Sequence, residues 1–316
     1  MEKVYIGVDV GGMSIKAGAV NLNGEIIFKS YVVTDGAHVD KFLESNKELL
    51  EKVILECKNR DLEPLGIGFG VPGLIDNERG LICKMANING INVPLRDYLK
   101  DLNLPIKISN DANVACLAEQ KYGAAKGYSD AIMITLGTGV GGGIVANNKL
   151  IEGFEGKGAE LGHVVIHMNG EPCGCGRRGC LEAYASATAL LRETRKAMEN
   201  HKESMMWDYC KGNIDKVDGL TSFECAKKGD KTANEVIDNY VMNLGEGLLN
   251  FCNIFRPQVF VIGGGISNQG DYLKNKLQAY LEKYNYGYLM APKSIVEMAK
   301  LKNDAGIIGA ASLFIE

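Results

Sequence analysis

Long apolar runs are missing from this sequence. No stretch approaches the roughly 18 consecutive apolar residues that a membrane-spanning helix needs. Met1-Glu2-Lys3 leads directly into a strand-like run, without the apolar core of a signal peptide. We therefore expect a cytoplasmic protein that has no membrane partner.

The sequence also lacks a large excess of positive or negative charge. The formal net charge is −4 over 316 residues, and no run rich in lysine and arginine occurs. Nucleic-acid-binding surfaces normally carry such basic clusters, so we expect no nucleic-acid partner. Apolar residues make up 46% of the chain and charged residues 23%, as in ordinary globular proteins, and the length predicts two domains.

The cysteines give little sign of disulfide bonds. There are nine of them, an odd number, and six are scattered singly through helix-like or strand-like segments. Isolated cysteines of this kind are typical of small buried thiols in a reducing compartment. The six are Cys57, Cys83, Cys116, Cys210, Cys225 and Cys252.

One order of elements occurs twice, roughly 125 residues apart. A strand at 4–10 runs into Gly11-Gly12, a second strand follows at 15–21, and a turn leads to a third at 25–33. The same order of strand, glycine turn, strand, turn and strand begins again at 131–136. We interpret the repeat as an internal duplication, which predicts two α/β domains that face each other across a cleft.

Hydrophobic spacing and glycines place the remaining elements and the domain boundary. The patterns predict helices at 41–59, at 110–122 and over most of 184–256, and strands at 65–71, 106–109 and 259–265. Small residues at 304–313 predict a helix that packs closely on another element. We assign residues 1–118 and the C-terminal helix 304–316 to an N-terminal α/β domain, and residues 119–303 to a C-terminal one.

Three strands end in glycine clusters, at Gly11-Gly12, Gly137–Gly143 and Gly263–Gly265. Glycine lets a backbone approach a polyphosphate closely, and its N–H groups form an anion-binding concavity. A tight hairpin would explain one such cluster, but three together predict a nucleotide site. The second cluster matches G-x-G-x-x-G, yet a strand rather than a helix follows it, which excludes a dinucleotide-binding fold. No G-x-x-x-x-G-K-[ST] motif of a Walker-type loop occurs.

Asp9 directly precedes the first glycine cluster. A carboxylate buried at a strand end is costly unless it meets a cation, its waters or hydrogen-bond donors. Beside phosphate-binding glycines, it is placed to orient Mg²⁺-ATP through water. The alternative is an aspartate that only accepts hydrogen bonds from the turn.

A short segment, 163–180, combines one histidine with three cysteines. His163 is followed by Cys173, Cys175 and Cys180, a closed tetrahedral set of the kind that holds structural Zn²⁺. The alternative is a glycine-rich loop with unused thiols. His167 is a rival for the histidine position, and this choice stays open at this point.

Two glutamates flank the segment that carries the candidate metal ligands. Glu160 and Glu182 each lie within three residues of a candidate metal ligand. A metal there would hold both carboxylates rigidly, as selective recognition of sugar hydroxyls requires.

Asn110-Asp111 is expected in the cleft between the domains, although an N-cap explains the pair equally well.

Together these residues resemble the ROK family, which comprises bacterial sugar kinases and related repressors of the actin–hexokinase–Hsp70 superfamily. The likeness spans the whole chain. Asp9–Lys16 is similar to the family's phosphate motif D-x-G-G-T-x-x-K, with Met13 in place of threonine, and Asn110–Asn113 matches its N-D-A-N. Residues 160–163 and 173–182 match its zinc and sugar signature.

The resemblance implies two duplicated actin/ribonuclease-H-like α/β domains, and it implies roles for individual residues. Asp111 is both a sugar-binding residue and the base that deprotonates the attacking hydroxyl, usually O6 of a hexose. Sugar-binding residues are Asn110, Glu160, His163, Glu182 and, with only a partial motif match, Asn87; zinc is held by His163, Cys173, Cys175 and Cys180. ATP with Mg²⁺ is bound by Asp9, Gly11, Gly12, Ser14, Lys16, Gly137, Thr138, Gly139, Gly263, Gly264 and Gly265.

The resemblance implies an ATP-dependent hexose kinase, with glucokinase as the leading activity. Kinases for N-acetylmannosamine, N-acetylglucosamine, fructose or β-glucosides are close alternatives, because the aromatic residue of the family's glucose-side segment is missing after Asn87. A repressor is a different class, and it carries a DNA-binding domain of some 70 residues before the first motif. Only eight residues precede Asp9 here. A catalytically silent sugar sensor is the third class, and we expect a homodimer.

Overall fold

The computed structural model describes residues 1–12, 14–33, 38–85, 90–287 and 290–315. Its strands are β1 (Glu2–Val10), β2 (Ser14–Asn21), β3 (Ile26–Val33), β4 (Leu62–Val71), β5 (Gly73–Asp76), β6 (Leu81–Met85), β7 (Ile91–Val93), β8 (Ile106–Asn110), β9 (Ala131–Leu136), β10 (Val140–Ala146), β11 (Lys149–Leu150), β12 (Val259–Gly263) and β13 (Ile295–Met298). Its helices are α1 (Val39–Asn59), α2 (Leu95–Tyr98), α3 (Asp111–Tyr122), α4 (Glu182–Ala185), α5 (Ala187–Asn200), α6 (Met206–Tyr209), α7 (Thr221–Lys227), α8 (Lys231–Phe255), α9 (Asp271–Tyr284) and α10 (Ala305–Ser312).

The first sheet has the strand order β3-β2-β1-β4-β8. β1 and β3 both pair antiparallel with β2, whereas β4 pairs parallel with β1 and with β8. Alternate side chains of β1 point to one face, where Val4, Ile6 and Val8 are fully buried in one cluster with Phe42 and Leu50 of α1. The amphipathic helix predicted at 41–59 is confirmed as α1, and it covers this face.

Glycines on the other face of β1 and β4 let α10 approach the sheet. A Cβ on Gly7 would lie 1.8 Å from the carbonyl oxygen of Ile307, and one on Gly68 would lie 1.8 Å from that of Ala310. Gly7 and Gly68 are directly paired in the parallel ladder. The close packing predicted for the C-terminal small residues is therefore confirmed, and its cause is a backbone-to-backbone contact.

The second sheet repeats the first. Its order is β11-β10-β9-β12-β13, so each strand occupies the position of its counterpart in the first sheet. β10 pairs antiparallel with β11, and β12 pairs parallel with β13, as the corresponding strands of the first sheet do. The α/β duplication predicted from the order of elements is confirmed at the level of topology.

The extent of the second glycine turn was predicted wrongly. Gly141–Gly143 belong to β10, and only residues 137–139 form the turn. These strand glycines are needed because neighbouring side chains leave no room for a Cβ atom. A Cβ on Gly143 would lie 2.6 Å from Cys116 Cβ of α3, and one on Gly142 would lie 2.6 Å from Leu161 Cδ1. Glycine in a strand often marks such a close approach rather than a turn.

The chain divides into two compact units. The first contains Met1–Met133, Gly143–Ala159 and Ala299–Glu316, and the second contains Ile134–Gly142 and Glu160–Met298. The boundary predicted between residues 118 and 119 falls inside α3, which runs as one helix to Tyr122.

Further elements accompany the two duplicated sheets. The first unit holds a small sheet of order β5-β6-β7, which the sequence patterns did not predict. The second unit is largely helical between α4 and α8, as expected for 184–256, and α8 buries apolar side chains such as Ile237 and Leu244. No helix in the described ranges is long and apolar enough to cross a membrane.

Candidate functional site

In the first unit, Asn110 and Asp111 lie where β8 passes into α3. Asn110 is the N-cap of the helix, and its Oδ1 accepts the backbone N–H of Ala112 at 2.9 Å. Its amide nitrogen donates to the carbonyl oxygen of Gly73 at 3.2 Å, which fixes the side chain from a second direction. The capping role considered for the Asn-Asp pair therefore belongs to Asn110.

Asp111 is the first residue of α3 and is exposed. Its Oδ1 also lies 2.9 Å from the N–H of Ala112, within the first turn of the helix. A helix N-terminus favours the ionised form of a carboxylate. An exposed carboxylate on a rigid helix end is suited to accept a proton from a hydroxyl.

In the second unit, the four predicted metal ligands come together. One ligand atom from each of His163, Cys173, Cys175 and Cys180 lies within 4.8 Å of all the others. His163 Nδ1 is 3.6 Å from Cys173 Sγ, and Cys175 Sγ is 3.7 Å from Cys180 Sγ. A tetrahedral site with metal–sulfur bonds of about 2.3 Å has edges of about 3.8 Å. The cluster is therefore compatible with structural zinc.

The loop backbone brings these ligands together through tight turns. The N–H of Cys173 donates to the carbonyl of Arg177 at 2.9 Å, and the N–H of Gly176 donates to the carbonyl of Cys173 at 3.0 Å. Gly176 has φ +90° and Gly179 has φ +81°, a left-handed conformation that favours glycine. The glycines between the cysteines are thus conformational requirements of the loop.

His167, the rival histidine, lies outside the cluster. Its Nε2 is 2.7 Å from Asn243 Oδ1 on α8, and its ring packs against Tyr184 with centroids 4.6 Å apart. Residues 161–163, which include His163, form a 3₁₀ turn. Of these two histidines, His163 is the one that lies with the three cysteines.

The two flanking glutamates lie close to the cysteine–histidine cluster. Although Glu160 is exposed as a residue, burial of its carboxyl group raises its pKa; the nearby His163 opposes this shift and Glu182 adds to it. Glu182 Oε1 is 3.4 Å from Cys173 Sγ. The second unit therefore groups three of the predicted sugar-binding residues, Glu160, His163 and Glu182, around one point.

The second and third glycine clusters are neighbours in the second unit. Gly264 has φ +80°, and a Cβ on it would lie 2.3 Å from the carbonyl oxygen of Leu136, the last residue of β9. Apart from its immediate neighbours in the chain, no described residue has an atom within 4 Å of a Cβ placed on Gly137, and the same holds for Gly265. Both backbones therefore border open space, as a polyphosphate site requires.

The turn at 137–139 is also held by residues that sequence reasoning missed. The N–H of Ala187 donates to the carbonyl of Gly137 at 2.8 Å, and Thr188 Oγ1 donates to the carbonyl of Thr138 at 2.8 Å. Both donors lie in the first turn of α5. The local sequence of α5 does not indicate that these residues bond to the turn, because their partners are about 50 residues away.

The first glycine cluster and Asp9 lie in the first unit. The N–H of Gly11 donates to the carbonyl of Ser14 at 2.9 Å, which closes the turn, and Gly11 and Gly12 are exposed. Asp9 Oδ2 lies 3.6 Å from Lys16 Nζ across the β1–β2 pair. Burial raises the pKa of Asp9 despite the opposing charge of Lys16. Asn87 and Met13 lie outside the described residues.

Glu119 and Ser109 support α3, and neither was predicted. Glu119 is fully buried and accepts the N–H of Ala124 at 2.6 Å and that of Leu301 at 2.8 Å. Ser109 precedes Asn110, is buried, and donates a short hydrogen bond to Glu152. These contacts fix both ends of the segment that carries Asp111.

Comparison with known proteins agrees with the motifs. The family model of the ROK family matches residues 5–316. A glucokinase of Thermotoga maritima is 38% identical, over 98% of this chain and 97% of its own. A xylose repressor of Caldicellulosiruptor bescii is 32% identical, over 98% of this chain and 77% of its own.

A solved structure with the same fold has a sugar and a nucleotide analogue bound. It is a ROK family glucokinase from Streptomyces griseus in complex with glucose and AMPPNP, 32% identical, with a TM-score of 0.81 over 98% of both chains. This likeness confirms the predicted actin-like α/β fold class. With a family model and relatives that match almost its full length, the chain belongs to the ROK family.

Proposed function

We propose that this chain is an ATP-dependent kinase that phosphorylates a hydroxyl of a hexose, with glucose as the leading substrate. The observation that carries the proposal is the division of tasks at the start of α3. Asn110 caps the helix, and Asp111 presents an exposed carboxylate at the first position of the same helix, where it would act as a base. The full-length match to a glucokinase of Thermotoga maritima supports the choice of glucose.

Asp111 acts on the attacking hydroxyl. The hydroxyl oxygen forms a bond to the γ-phosphorus of ATP, and the bond from that phosphorus to the bridging oxygen of ADP breaks. The hydroxyl proton passes to the Asp111 carboxylate, and ADP leaves with the bridging oxygen. A base positioned in this way typically contributes a factor of about 10²–10⁴ to the rate.

The glycine turns would bind the polyphosphate, and Asp9 would orient the magnesium ion. Backbone N–H groups that border open space stabilise phosphate charge, which is the main requirement of phosphoryl transfer. The partly buried Asp9, paired with Lys16, is suited to hold the waters of a Mg²⁺ ion that neutralises the phosphates.

The cysteine–histidine cluster would hold a structural zinc ion that adds rigidity and takes no part in proton transfer. His163, Cys173, Cys175 and Cys180 are its ligands, and Glu160 and Glu182 beside them would accept hydrogen bonds from sugar hydroxyls. Metal analysis of the purified protein should give about one zinc per chain. A ratio near zero would exclude this ligand set.

Sugar-dependent release of ADP tests the activity itself. Glucose, mannose, fructose, N-acetylmannosamine, N-acetylglucosamine and a β-glucoside should be compared at equal concentration with Mg²⁺-ATP. We expect turnover with at least one, and the highest kcat/KM with glucose, with phosphate on O6. If sugars bind but none of them stimulates release of ADP, the result would favour the silent sensor instead. Cytoplasmic location and a homodimer remain predictions, the latter checked by light scattering.

A further inference from the structure

Glu182 lies between two parts of the second unit, and its two carboxylate oxygens contact one part each. Oε1 accepts a hydrogen bond from the Cys173 thiol at 3.4 Å. A metal-bound thiolate cannot donate this bond, so the lasting link of Glu182 to the cluster is the main chain, two residues from Cys180. Oε2 accepts the backbone N–H of Val140 at 3.0 Å, directly after the glycine turn at 137–139. We infer that Glu182 is a positioning residue that ties the glycine turn to the metal cluster, so that metal binding sets the affinity for the nucleotide.

The turn is shaped to receive this carboxylate. A Cβ on Gly139 would lie 2.4 Å from Glu182 Oε2, so any larger residue would displace the side chain. An ionised carboxylate that accepts a backbone N–H makes a stronger hydrogen bond than a neutral acceptor. Gly139 is thus needed for the contact with Glu182 as well as for the turn.

A second contact involves the backbone of Val140. A Cβ on Gly162 would lie 2.0 Å from the carbonyl oxygen of Val140, so the 3₁₀ turn at 161–163 touches the backbone there. Gly162 directly precedes His163, and Glu182 follows Cys180 by two residues. Both segments that contact Val140 therefore carry a metal ligand.

The other end of the turn is held independently of the cluster. The carbonyls of Gly137 and Thr138 accept hydrogen bonds from Ala187 and Thr188 at the start of α5. Loss of the metal should therefore loosen the Val140 side of the turn and leave the Gly137 side in place. The expected result is weaker phosphate binding by a protein that is still folded.

Nucleotide binding in the absence of sugar is the direct readout. It rests on the proposed function, in which this turn holds the phosphates of ATP. We expect Glu182→Ala to raise the dissociation constant of a non-hydrolysable ATP analogue, measured by calorimetry, by about tenfold, the effect of losing one charge-assisted hydrogen bond. Glu182→Gln keeps an oxygen acceptor for the Val140 N–H and should stay within about threefold of the wild type.

Removal of the metal is the second test of this inference. Wild type stripped with a chelator should lose affinity for the analogue to a similar degree, and amide hydrogen exchange should rise at residues 139–142 and not at 187–190. In Glu182→Ala, removal of the metal should change the affinity less than in the wild type, because the two perturbations act on one link. Glu171→Ala, on the same loop, is the matched control and should bind the analogue normally.

Equal analogue affinity in wild type, Glu182→Ala and metal-free protein would overturn this inference. Such a result would leave the proposed function intact if the wild type still released ADP in the presence of a hexose. If Glu182→Ala does not fold, the metal-free wild type still decides the outcome, because the inference predicts weaker binding of the analogue after metal removal and unchanged binding would contradict it. Failure of the proposed function would show differently, as absence of sugar-dependent turnover in the wild type.

Discussion

The side chain of Asn110 stabilises the start of α3 through one bond to Ala112 and one to Gly73. Asp111, its neighbour, makes its bond to the same Ala112 N–H and is exposed. Two adjacent polar residues of similar size thus differ in task, because only one of them has the extended backbone of a cap. The sequence motif alone could not separate these tasks, since either residue type is a good N-cap.

Asn110→Ala should lower stability as well as activity. Loss of an N-cap costs about 1 kcal/mol of unfolding free energy. Asn110→Asp keeps a capping oxygen and should recover most of that stability, as measured by urea denaturation. Equal stability of Asn110→Ala and the wild type would contradict the capping role.

Asp9 should weaken the fold at neutral pH. Burial raises its pKa above the ordinary value of 3.8, so the folded state binds a proton more readily than the unfolded state. The cost is absent below the ordinary pKa, grows as pH rises through the window up to the raised pKa, and is constant above it. Asp9→Asn removes the titrating group, so it should be more stable than the wild type at pH 7.

Denaturation curves for Asp9→Asn and the wild type at several pH values test this sign. The difference in unfolding free energy should shrink as pH falls toward 3.8. The variant should also lose activity, since a residue that binds charged ligands is often costly to the fold. A variant less stable than the wild type at pH 7 would show that the Lys16 ion pair outweighs the burial of Asp9.

At the scale of elements, α3 is supported at its C-terminal end by a buried carboxylate. Glu119 accepts two backbone N–H groups, from Ala124 and Leu301. Gly123 permits this geometry, because a Cβ there would lie 2.0 Å from Glu119 Oε2. Glu119 therefore joins α3 to the segment that leads into α10.

Glu119→Ala should destabilise the protein strongly. It leaves two N–H groups without their acceptor, at a cost of about 1–3 kcal/mol each. Glu119→Gln should be intermediate, because an amide has one oxygen for two donors. The order wild type, Gln, Ala in thermal midpoints is the expected result. Glu56→Ala, which removes an exposed ion pair on α1, is the control and should leave the midpoint almost unchanged.

Elements with strong local signals could be predicted from sequence. Periodicity placed α1, and strand runs placed β1, β4, β9 and β12 within a few residues. Gly141–Gly143 misled the prediction because a glycine that permits close packing and one that forms a turn have the same local signature. The small sheet β5-β6-β7 was missed because its strands are short and depend on pairing rather than on local pattern.

At the scale of the whole molecule, the duplicated topology was predictable because the same order of strands and turns occurs twice along the sequence. The two sheets share one strand order, although the residues that build them differ. The cysteine–histidine cluster was also predictable, since three cysteines and one histidine at that spacing fit few purposes other than metal binding. Contacts such as Glu182 with Val140 were not, because 42 residues separate the partners and only the folded chain brings them together.

Turnover of Asp111→Asn decides whether Asp111 is the catalytic base. Calorimetry should show glucose and an ATP analogue bound with nearly wild-type affinity, because the side chain keeps its size and Asn110 keeps its cap. The rate of sugar-dependent ADP release at saturating substrates should fall by about 10²–10⁴-fold, since asparagine cannot take the proton. Turnover of the variant within a few-fold of the wild type, with both ligands bound, would contradict the assignment of Asp111 as the base.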